Sequence, residues 1–321
     1  MSLALLFSPQ GSQSVGMGRD LALDWPSAAA CFAEADAALG WPVSAICWSG
    51  PAEALNDTRQ TQPCLFTASL AGQRALTEAL EHRGERLAPA LVAGHSVGEY
   101  AALVSAGVLP FADALRLVAL RGSLMAEAGL SGGMAAVIGL DREAVAAVVA
   151  EAGLGKELVV ANDNAPGQVV ISGSTEGLAQ IGAPLAAAGA RRTIPLKVSG
   201  PFHSPQMAPV GARLARAFAD AHWRDADPPM VSNVTGEPVR DAAEIRSLLA
   251  RQVSSPVEWL RSVRRMVAEG IDTFVECGPG GALTGMVRRI APEARTLNVS
   301  DAASLEATVE ALLAAPVGAL A

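Results

Sequence analysis

The sequence contains few cysteines and few basic residues. Four cysteines lie among 321 residues without paired spacing, which argues against a disulfide framework or a zinc site, and we expect reduced, inert thiols. Lys and Arg together number 24 against 32 Asp and Glu, a net charge of −8. Because phosphate binding needs a surplus of cations, we expect no nucleic-acid partner. An acidic partner would need a local basic patch, for which the candidates are Arg191, Arg192 and Lys197, or Arg288 and Arg289.

Long apolar runs are also missing from the sequence. Half of the residues are hydrophobic, yet Gly, Pro or a charged residue interrupts each apolar stretch before the roughly 20 residues of a membrane helix. The run from Leu3 to Phe7 has no basic residues before it, unlike a secretory signal, and it suits a buried strand. We therefore expect a soluble, cytoplasmic protein with no membrane partner.

Short apolar runs alternate with Ala-rich segments of helical spacing, a pattern typical of an α/β fold with a largely parallel sheet. The predicted strands of this sheet lie at residues 3–7, 91–93, 230–234 and 273–276. The predicted helices lie at residues 27–39, 65–81, 98–106, 111–128, 205–221, 255–269 and 305–314. The Ala-rich segment after Ala314 is expected to fray.

Residues 133–198 have a tighter order of strand, helix, strand, strand, helix and strand. These elements are predicted at residues 134–138, 142–152, 158–162, 168–173, 175–188 and 193–198. The order is typical of a ferredoxin-like unit. We therefore predict a small ferredoxin-like subdomain at residues 131–198, inserted into a large α/β hydrolase-like domain of residues 1–130 and 199–321, with a ligand cleft between the two.

The spacing Gly-x-Ser-x-Gly occurs at Gly94-His-Ser-Val-Gly98, between an apolar strand and an Ala-rich helix. A serine in such a turn has strained backbone angles and needs small neighbours, and its hydroxyl projects above the sheet. Ser96 is therefore our candidate nucleophile, and the N–H of Val97 can point at an oxyanion. An ordinary glycine-rich turn is the alternative. The same spacing at Gly129-Leu-Ser-Gly-Gly133 has no strand before it, and we interpret it as a hinge.

An activated serine needs a base, and the chain has four histidines. His82 and His222 lie in polar stretches and are expected at the surface. His95 adjoins Ser96, but adjacent side chains in an extended segment point to opposite faces. His203 lies in a loop between a predicted strand and a helix, where catalytic groups are often mounted, and is the best candidate. The alternative for His203 is a purely structural hydrogen bond.

Seven segments, in order, resemble the malonyl-CoA:acyl carrier protein transacylase family over about residues 3–300. They are Phe7-Ser-Pro-Gln-Gly-Ser-Gln13, Gly94-His-Ser-Val-Gly-Glu-Tyr100, Arg121-Gly-Ser-Leu-Met125, Asn162-Asp-Asn-Ala-Pro-Gly-Gln-Val-Val-Ile-Ser-Gly173, Pro201-Phe-His-Ser204, Gln252-Val-Ser-Ser-Pro-Val-Glu-Trp259 and Glu276-Cys-Gly-Pro-Gly280. The resemblance implies that Ser96 takes malonyl from coenzyme A and passes it to the phosphopantetheine thiol of acyl carrier protein, for fatty acid or polyketide synthesis. It further implies His203 as base, oriented by the backbone carbonyl of Gln252, and a monomer without a cofactor.

The resemblance also assigns the groups that bind the acyl donor. The backbone N–H of Gln10 would complete the oxyanion hole with that of Val97, and Arg121 would hold the free carboxylate of malonate, a role that suits its planar fork of donors. Without the resemblance, a simple pair between Arg121 and Glu127 is an equal alternative. Two departures from the family concern loops: Pro9 replaces a glycine before Gln10, and Gly200 stands before Pro201.

Three further residues are expected near the acyl group. Asn162 begins the family's asparagine-containing motif. Met125 lies one turn beyond Arg121 and lines the pocket or packs in the core. Phe202 would narrow the pocket and disfavour a branched methylmalonyl donor, although a pocket discriminates one methyl by only about 1–3 kcal/mol.

Other functions remain open at this stage. An acyl-carrier-protein hydrolase or thioesterase would share the nucleophile and base, but Arg121 argues against it. A malonyl-transferring subunit of a malonate decarboxylase, or a trans-acting polyketide acyltransferase, would differ only in the carrier. A nucleotide-binding protein using Gly278-Pro-Gly-Gly281 as a phosphate loop is disfavoured because no Lys-Ser/Thr pair follows.

Overall fold

The computed structural model describes residues 2–314, and the segment after Ala314, for which fraying is predicted, lies outside the described residues. The strands within that range are Leu3–Phe7 (β1), Leu91–Gly94 (β2), Gly133–Ile138 (β3), Leu158–Ala165 (β4), Gln168–Gly173 (β5), Arg192–Pro195 (β6), Met230–Val231 (β7), Pro238–Val239 (β8), Thr273–Cys277 (β9) and Arg295–Val299 (β10). The α-helices are Arg19–Asp24 (α1), Pro26–Leu39 (α2), Val43–Ser49 (α3), Ala52–Leu55 (α4), Thr58–Glu81 (α5), Gly98–Ser105 (α6), Phe111–Ala126 (α7), Arg142–Glu151 (α8), Thr175–Ala187 (α9), Ala208–Ala217 (α10), Ala242–Gln252 (α11), Trp259–Ala268 (α12), Ala282–Ile290 (α13) and Ala302–Leu313 (α14).

The larger sheet has the strand order β10-β9-β1-β2-β7-β8, with every neighbouring pair parallel except β7 and β8. Every residue of β1 is buried. Leu3, Leu5 and Phe7 pack into one core cluster, and Ala4 and Leu6 pack into another on the opposite face. A continuous apolar strand is what a parallel sheet covered on both faces requires. The predicted α/β fold is confirmed.

A second sheet has the order β4-β5-β3-β6, and all its pairs are antiparallel. Its core cluster includes Val145 of α8 and Ile181 of α9, so these helices cover one face of the sheet. The order of elements agrees with the expected one, but β6 ends at Pro195 rather than at residue 198. The subdomain bounds at residues 131 and 198 stay a prediction.

Strand β4 joins the second sheet to the segment before α12. The N–H of Asp163 donates to the carbonyl of Val257 (3.0 Å), and the N–H of Val257 donates to the carbonyl of Ala161 (2.8 Å). Next to this bridge, Arg142 of α8 forms an ion pair with Glu258. The backbone at Val257, just before α12, therefore pairs directly with strand β4 of the second sheet.

Two helices begin where the sequence pattern is misleading. The helix expected from residue 65 begins at Thr58 and continues through Pro63, where it lacks one backbone hydrogen bond because proline has no N–H. The helix expected from residue 255 begins at Trp259, because Pro256 disfavours helical backbone at the residue before it.

Two other predicted elements are shorter or more divided than expected, and several elements were not predicted. The helix expected at residues 205–221 is divided into a 3-10 turn at Pro205–Met207, the helix α10, and a 3-10 turn at Phe218–Asp220. The strand expected at residues 230–234 contains only the two residues of β7. Helices α11 and α13 and strand β10 had no predicted counterpart, and neither did the short elements α1, α3, α4 and β8.

The described residues contain no helix long and apolar enough to cross a membrane. All four cysteines are free and buried. Burial raises the pKa of the Cys31 thiol to about 12, so this thiol stays protonated near neutral pH.

Candidate active site

Ser96 lies in the tight turn between β2 and α6. Its φ angle is 53°, a conformation that costs a residue with a side chain of order 1–3 kcal/mol. Close backbone contacts require both flanking glycines: a Cβ on Gly94 would lie 2.0 Å from the carbonyl carbon of Gly98, and a Cβ on Gly98 would lie 2.2 Å from the carbonyl oxygen of Phe7. The turn has the geometry that the glycine spacing predicts.

His203 lies directly beside Ser96, with its Nε2 2.7 Å from the Ser96 Oγ. It too has a positive φ, 58°, and among the described residues other than glycine only these two do. The loop is held in place by the N–H of His203, which donates to the carbonyl of Val253 at 3.0 Å, and by the Ser204 hydroxyl, which donates to the carbonyl of Pro201 at 2.6 Å. The structure thus brings the two predicted residues together.

The surroundings of His203 determine which ring nitrogen carries the proton. Nδ1 lies 3.0 Å from the carbonyl oxygen of Gln252 and 3.2 Å from that of Ser255. Carbonyl oxygens only accept, so Nδ1 is the donor and Nε2 presents its lone pair to the Ser96 hydroxyl. Burial, together with the charge of Arg121 and the neighbouring His95, lowers the pKa of His203 to about 3. The imidazole is therefore neutral at physiological pH.

Arg121 projects from α7 toward the same oxygen. Its side chain is 1% exposed, and Nη2 donates to the Ser96 Oγ at 3.1 Å and to the Gln252 Oε1 at 3.0 Å. Nη1 donates to the Gln62 Oε1 at 2.7 Å, and the Tyr100 ring lies 5.7 Å from the guanidinium. Glu127 instead lies 3.9 Å from Arg59. Within residues 2–314, Arg121 forms no ion pair, so the alternative of a pair with Glu127 is wrong.

Further buried polar residues surround Ser96, and sequence reasoning did not single them out. Asn233, which follows β7, accepts the N–H of Ser96 at 2.7 Å through Oδ1 and donates to the carbonyl of Gly94 at 2.6 Å. Glu99, in the first turn of α6, accepts the N–H of Asn233 at 3.1 Å and the side-chain amide of Gln252 at 2.6 Å. Burial raises the pKa of Glu99 to about 7, against the lowering effect of these donors and Arg121.

A cavity of about 620 Å³ opens above the serine. Its wall includes six of the residues singled out from the sequence, namely Gln10, Ser96, Met125, Asn162, Phe202 and His203, together with Asn164, Lys197 and Met286. Val97, Arg121 and Gln252 are not part of this wall, and all three are buried behind Ser96. Gln62 donates to the Met125 sulfur at 3.4 Å, so Met125 contacts both the cavity and the core.

The backbone amides of Gln10 and Val97 lie at the ends of β1 and β2, which are neighbours in the sheet. In the part of the chain that the structure describes, neither amide donates a hydrogen bond to a protein acceptor. The loop around Pro9 closes through the N–H of Ser12, which donates to the carbonyl of Pro9 at 3.3 Å. A proline before Gln10 is therefore compatible with a closed turn at this position.

The other histidines lie apart from the serine hydroxyl. His95 is buried, with Nε2 2.8 Å from the Asn164 Oδ1 and its ring packed near Trp259. Burial lowers the pKa of His95 to about 4. His82 and His222 are exposed, as expected, and His222 pairs with Asp113.

The glycine loop at residues 278–281 does not present a free helix N-terminus. Glu276, buried at the end of β9, accepts the N–H groups of Leu283 and Thr284 at 3.2 and 2.8 Å, and its carboxylate also accepts the hydroxyl of Ser8. A carboxylate of the protein already occupies the place where a phosphate would bind. This contact argues against the nucleotide-binding interpretation.

Comparison with known proteins gives the family. A model of the acyl transferase domain matches residues 4–308. The chain belongs to the acyl transferase domain family. Among curated members, malonyl CoA-acyl carrier protein transacylase of Salmonella typhimurium is 44% identical over 308 residues, covering 95% of this chain and 98% of the relative. The Bacillus subtilis protein of the same name is 40% identical over 314 residues, covering 97% of each.

Solved structures of acyl transferases agree over the same length. An acyl carrier protein S-malonyltransferase from Vibrio cholerae has a TM-score of 0.90 at 41% identity, covering 96% of this chain and 100% of that one. A malonyl-transacylase in complex with its type II polyketide acyl-carrier protein has a TM-score of 0.91 at 40% identity, covering 97% and 100%. The family resemblance predicted from seven motifs is confirmed.

Proposed function

We propose that the chain is a malonyl-CoA:acyl carrier protein transacylase that works by a ping-pong reaction through an acyl-enzyme on Ser96. The observation that carries this proposal is the position of the Ser96 hydroxyl between two groups. It lies 3.1 Å from the buried guanidinium of Arg121 and 2.7 Å from the neutral imidazole of His203. A serine and histidine alone would suit any acyl group. The unpaired arginine beside them suits an acyl group with its own carboxylate.

In the first half-reaction, the Ser96 oxygen attacks the thioester carbonyl while His203 Nε2 takes the hydroxyl proton. The backbone amides of Gln10 and Val97 stabilise the oxyanion. The carbon–sulfur bond then breaks, and His203 returns the proton to the coenzyme A sulfur. In the second half-reaction, the thiol of the carrier's phosphopantetheine gives its proton to His203 and attacks the carbonyl carbon of the serine ester. The bond between that carbon and the Ser96 oxygen then breaks, and His203 returns the proton to the Ser96 oxygen, which leaves malonyl on the carrier and the free enzyme.

No acidic third member is needed in this mechanism. The carbonyls of Gln252 and Ser255 hold Nδ1–H, so they determine the tautomer and the direction of the ring. Both hydrogen bonds raise the pKa of the ring, but burial lowers it by more.

Arg121 binds the free carboxylate of the malonyl group in our proposal, exchanging its contact with the serine hydroxyl for two parallel hydrogen bonds. Met125, Asn162 and Phe202 form the walls around the acyl chain, since all three line the cavity. Phe202 is 4% exposed and limits the width of the pocket, which disfavours a branched donor.

The finer architecture and setting belong to the same proposal. The strand order of the second sheet supports a ferredoxin-like subdomain at residues 131–198, inserted into a hydrolase-like large domain. We place the enzyme in the cytoplasm as a monomer without a cofactor, serving fatty acid or polyketide synthesis. Its partners are malonyl-CoA and an acyl carrier protein.

Intact-mass measurement after incubation with malonyl-CoA tests the acyl-enzyme. Wild-type protein should gain one malonyl unit, Ser96→Ala should gain none, and Ser131→Ala, which changes the second matching serine, should behave as wild type. Labelling by acetyl-CoA without labelling by malonyl-CoA would contradict the role of Arg121.

Transfer to a panel of carrier proteins, with free malonate measured alongside, tests the second half-reaction. We expect the malonyl group to appear on carrier proteins faster than it is released as free malonate. Release to water that exceeds transfer to every carrier would identify a hydrolase instead.

A further inference from the structure

The side chain of Gln252 has a task separate from that of its backbone. While its carbonyl accepts from His203, its side-chain amide contacts three other groups. Oε1 accepts from Arg121 at 3.0 Å, and Nε2 donates to the backbone carbonyl of Ser96 at 2.8 Å and to the Glu99 Oε2 at 2.6 Å. Gln252 is 1% exposed, so water does not compete for these contacts.

Glu99 and the backbone carbonyl of Ser96 together fix which way this amide faces. The carbonyl oxygen and the ionised carboxylate of Glu99 only accept hydrogen bonds, so the NH₂ group of Gln252 faces both of them. The amide oxygen must then face Arg121. The other oxygen of Glu99 accepts the N–H of Asn233, which holds the carboxylate in place. Glu99 is 2% exposed, so water does not compete for its hydrogen bonds.

The direction of the amide determines where the guanidinium lies. Nη2 of Arg121 is shared between the Gln252 oxygen and the Ser96 hydroxyl. If the amide faced the other way, its NH₂ group would meet the NH₂ group of Arg121, and the guanidinium would be pushed away from the serine. Glu99 also supplies a negative charge one amide away from a cation that, within residues 2–314, has only neutral hydrogen-bond acceptors.

We propose that Glu99 and the side chain of Gln252 act as one positioning pair that orients Arg121 toward the acyl group on Ser96, and so determine donor selectivity without touching the donor. This inference rests on the proposed function. The new element is that the preference for a carboxylated acyl group depends on Glu99, which is connected to Arg121 through two hydrogen bonds by way of Gln252.

The test compares acylation of Ser96 by malonyl-CoA and by acetyl-CoA, each followed by intact mass at early times. Gln252→Met removes the amide and keeps the backbone carbonyl that orients His203. Glu99→Gln keeps the size of the side chain but places its own NH₂ group against either the N–H of Asn233 or the NH₂ group of Gln252. The control is Glu276→Gln, which neutralises another buried carboxylate that accepts backbone N–H groups and contacts neither Arg121 nor Gln252.

We expect the ratio of malonyl to acetyl acylation rates to fall about tenfold or more in each single variant, whatever loss the two rates share. The double variant should fall no further than the stronger single variant, because the two residues act through one contact. Glu276→Gln should leave the ratio within about twofold of wild type, even if it lowers the melting temperature.

An unchanged ratio in Gln252→Met or Glu99→Gln would overturn the inference, and so would independent, multiplying losses in the double variant. Failure of the proposed function would look different, because wild-type protein itself would then show no malonyl adduct. If Gln252→Met fails to fold, Glu99→Gln and its control still decide the matter.

Discussion

The protonation state of the base that activates Ser96 should be almost insensitive to mild acid. The physical reason is the burial of His203, which lowers its pKa from 6.5 to about 3 with help from Arg121 and His95. A base works only while it is unprotonated. The sign of the effect follows: lowering the pKa extends the active range of the base downward in pH.

The expected magnitude is large enough to measure. A histidine with the ordinary pKa of 6.5 would be about 3% neutral at pH 5 and about 90% neutral at pH 7.5, a loss of about 30-fold in active base. With a pKa of about 3, the same histidine is about 99% neutral at pH 5. In Glu99→Gln, where no carboxyl group titrates at this position, the acylation rate should then change less than about threefold between these two values.

Single-turnover acylation by malonyl-CoA, quenched and measured as intact mass from pH 4.5 to 8, gives the profile. Unfolding at each pH is followed by circular dichroism, so that loss of fold is not mistaken for loss of base. The titration of Glu99, whose pKa is raised to about 7, is separated by repeating the profile with Glu99→Gln. A fall of about 30-fold that follows a pKa near 6.5 in both proteins would refute the reasoning about burial.

Three further predictions concern donor binding, the turn and stability. Arg121→Lys keeps the charge but loses the fork, so malonyl transfer should fall about 10- to 100-fold relative to acetyl transfer in a competition between the two donors; equal losses would contradict carboxylate binding. Gly98→Ala should lower the free energy of unfolding by about 3 kcal/mol or more in urea, since its Cβ would lie 2.2 Å from a carbonyl oxygen. Gly182→Ala, in α9 with nothing within 4 Å, should instead raise it by about 0.5–1 kcal/mol. Because the folded pKa of Glu99 lies above the unfolded value of 4.5, its carboxyl group stabilises the fold by about 2–3 kcal/mol more at pH 5 than at pH 8. The difference in unfolding free energy between wild type and Glu99→Gln should change with pH by that amount.

The nucleophile Ser96 was predictable because its tight turn accepts only glycine at the positions two residues before and two residues after it. Gly94 and Gly98 leave no room for a Cβ, and such a requirement is visible in sequence as a fixed spacing. His203 was found by elimination among four histidines. Its positive φ and its two carbonyl partners had no local signal, because the carbonyls belong to a segment about 50 residues away.

The polar residues behind the serine were harder to predict for a physical reason. Asn233 and Glu99 are joined by a hydrogen bond between residues 134 positions apart. A contact over that distance in the sequence produces no periodic pattern from which it could be predicted. Gln62 was missed for a different reason. It lies before residue 65, where the helix was predicted to begin, whereas α5 begins at Thr58 and Gln62 accepts a hydrogen bond from Arg121.

The stretch from Gln252 to Glu258 has a consequence for engineering. Gln252 accepts hydrogen bonds from His203 and Arg121, and Ser255 accepts a second one from His203. Val257 bonds to strand β4 of the second sheet, and Glu258 pairs with Arg142 of α8. Because these contacts fall within one short segment from the end of α11 to the start of α12, a single inserted or deleted residue would put several of them out of register together. Length changes and loop grafts should therefore be tolerated far less here than in the exposed loop that follows α5.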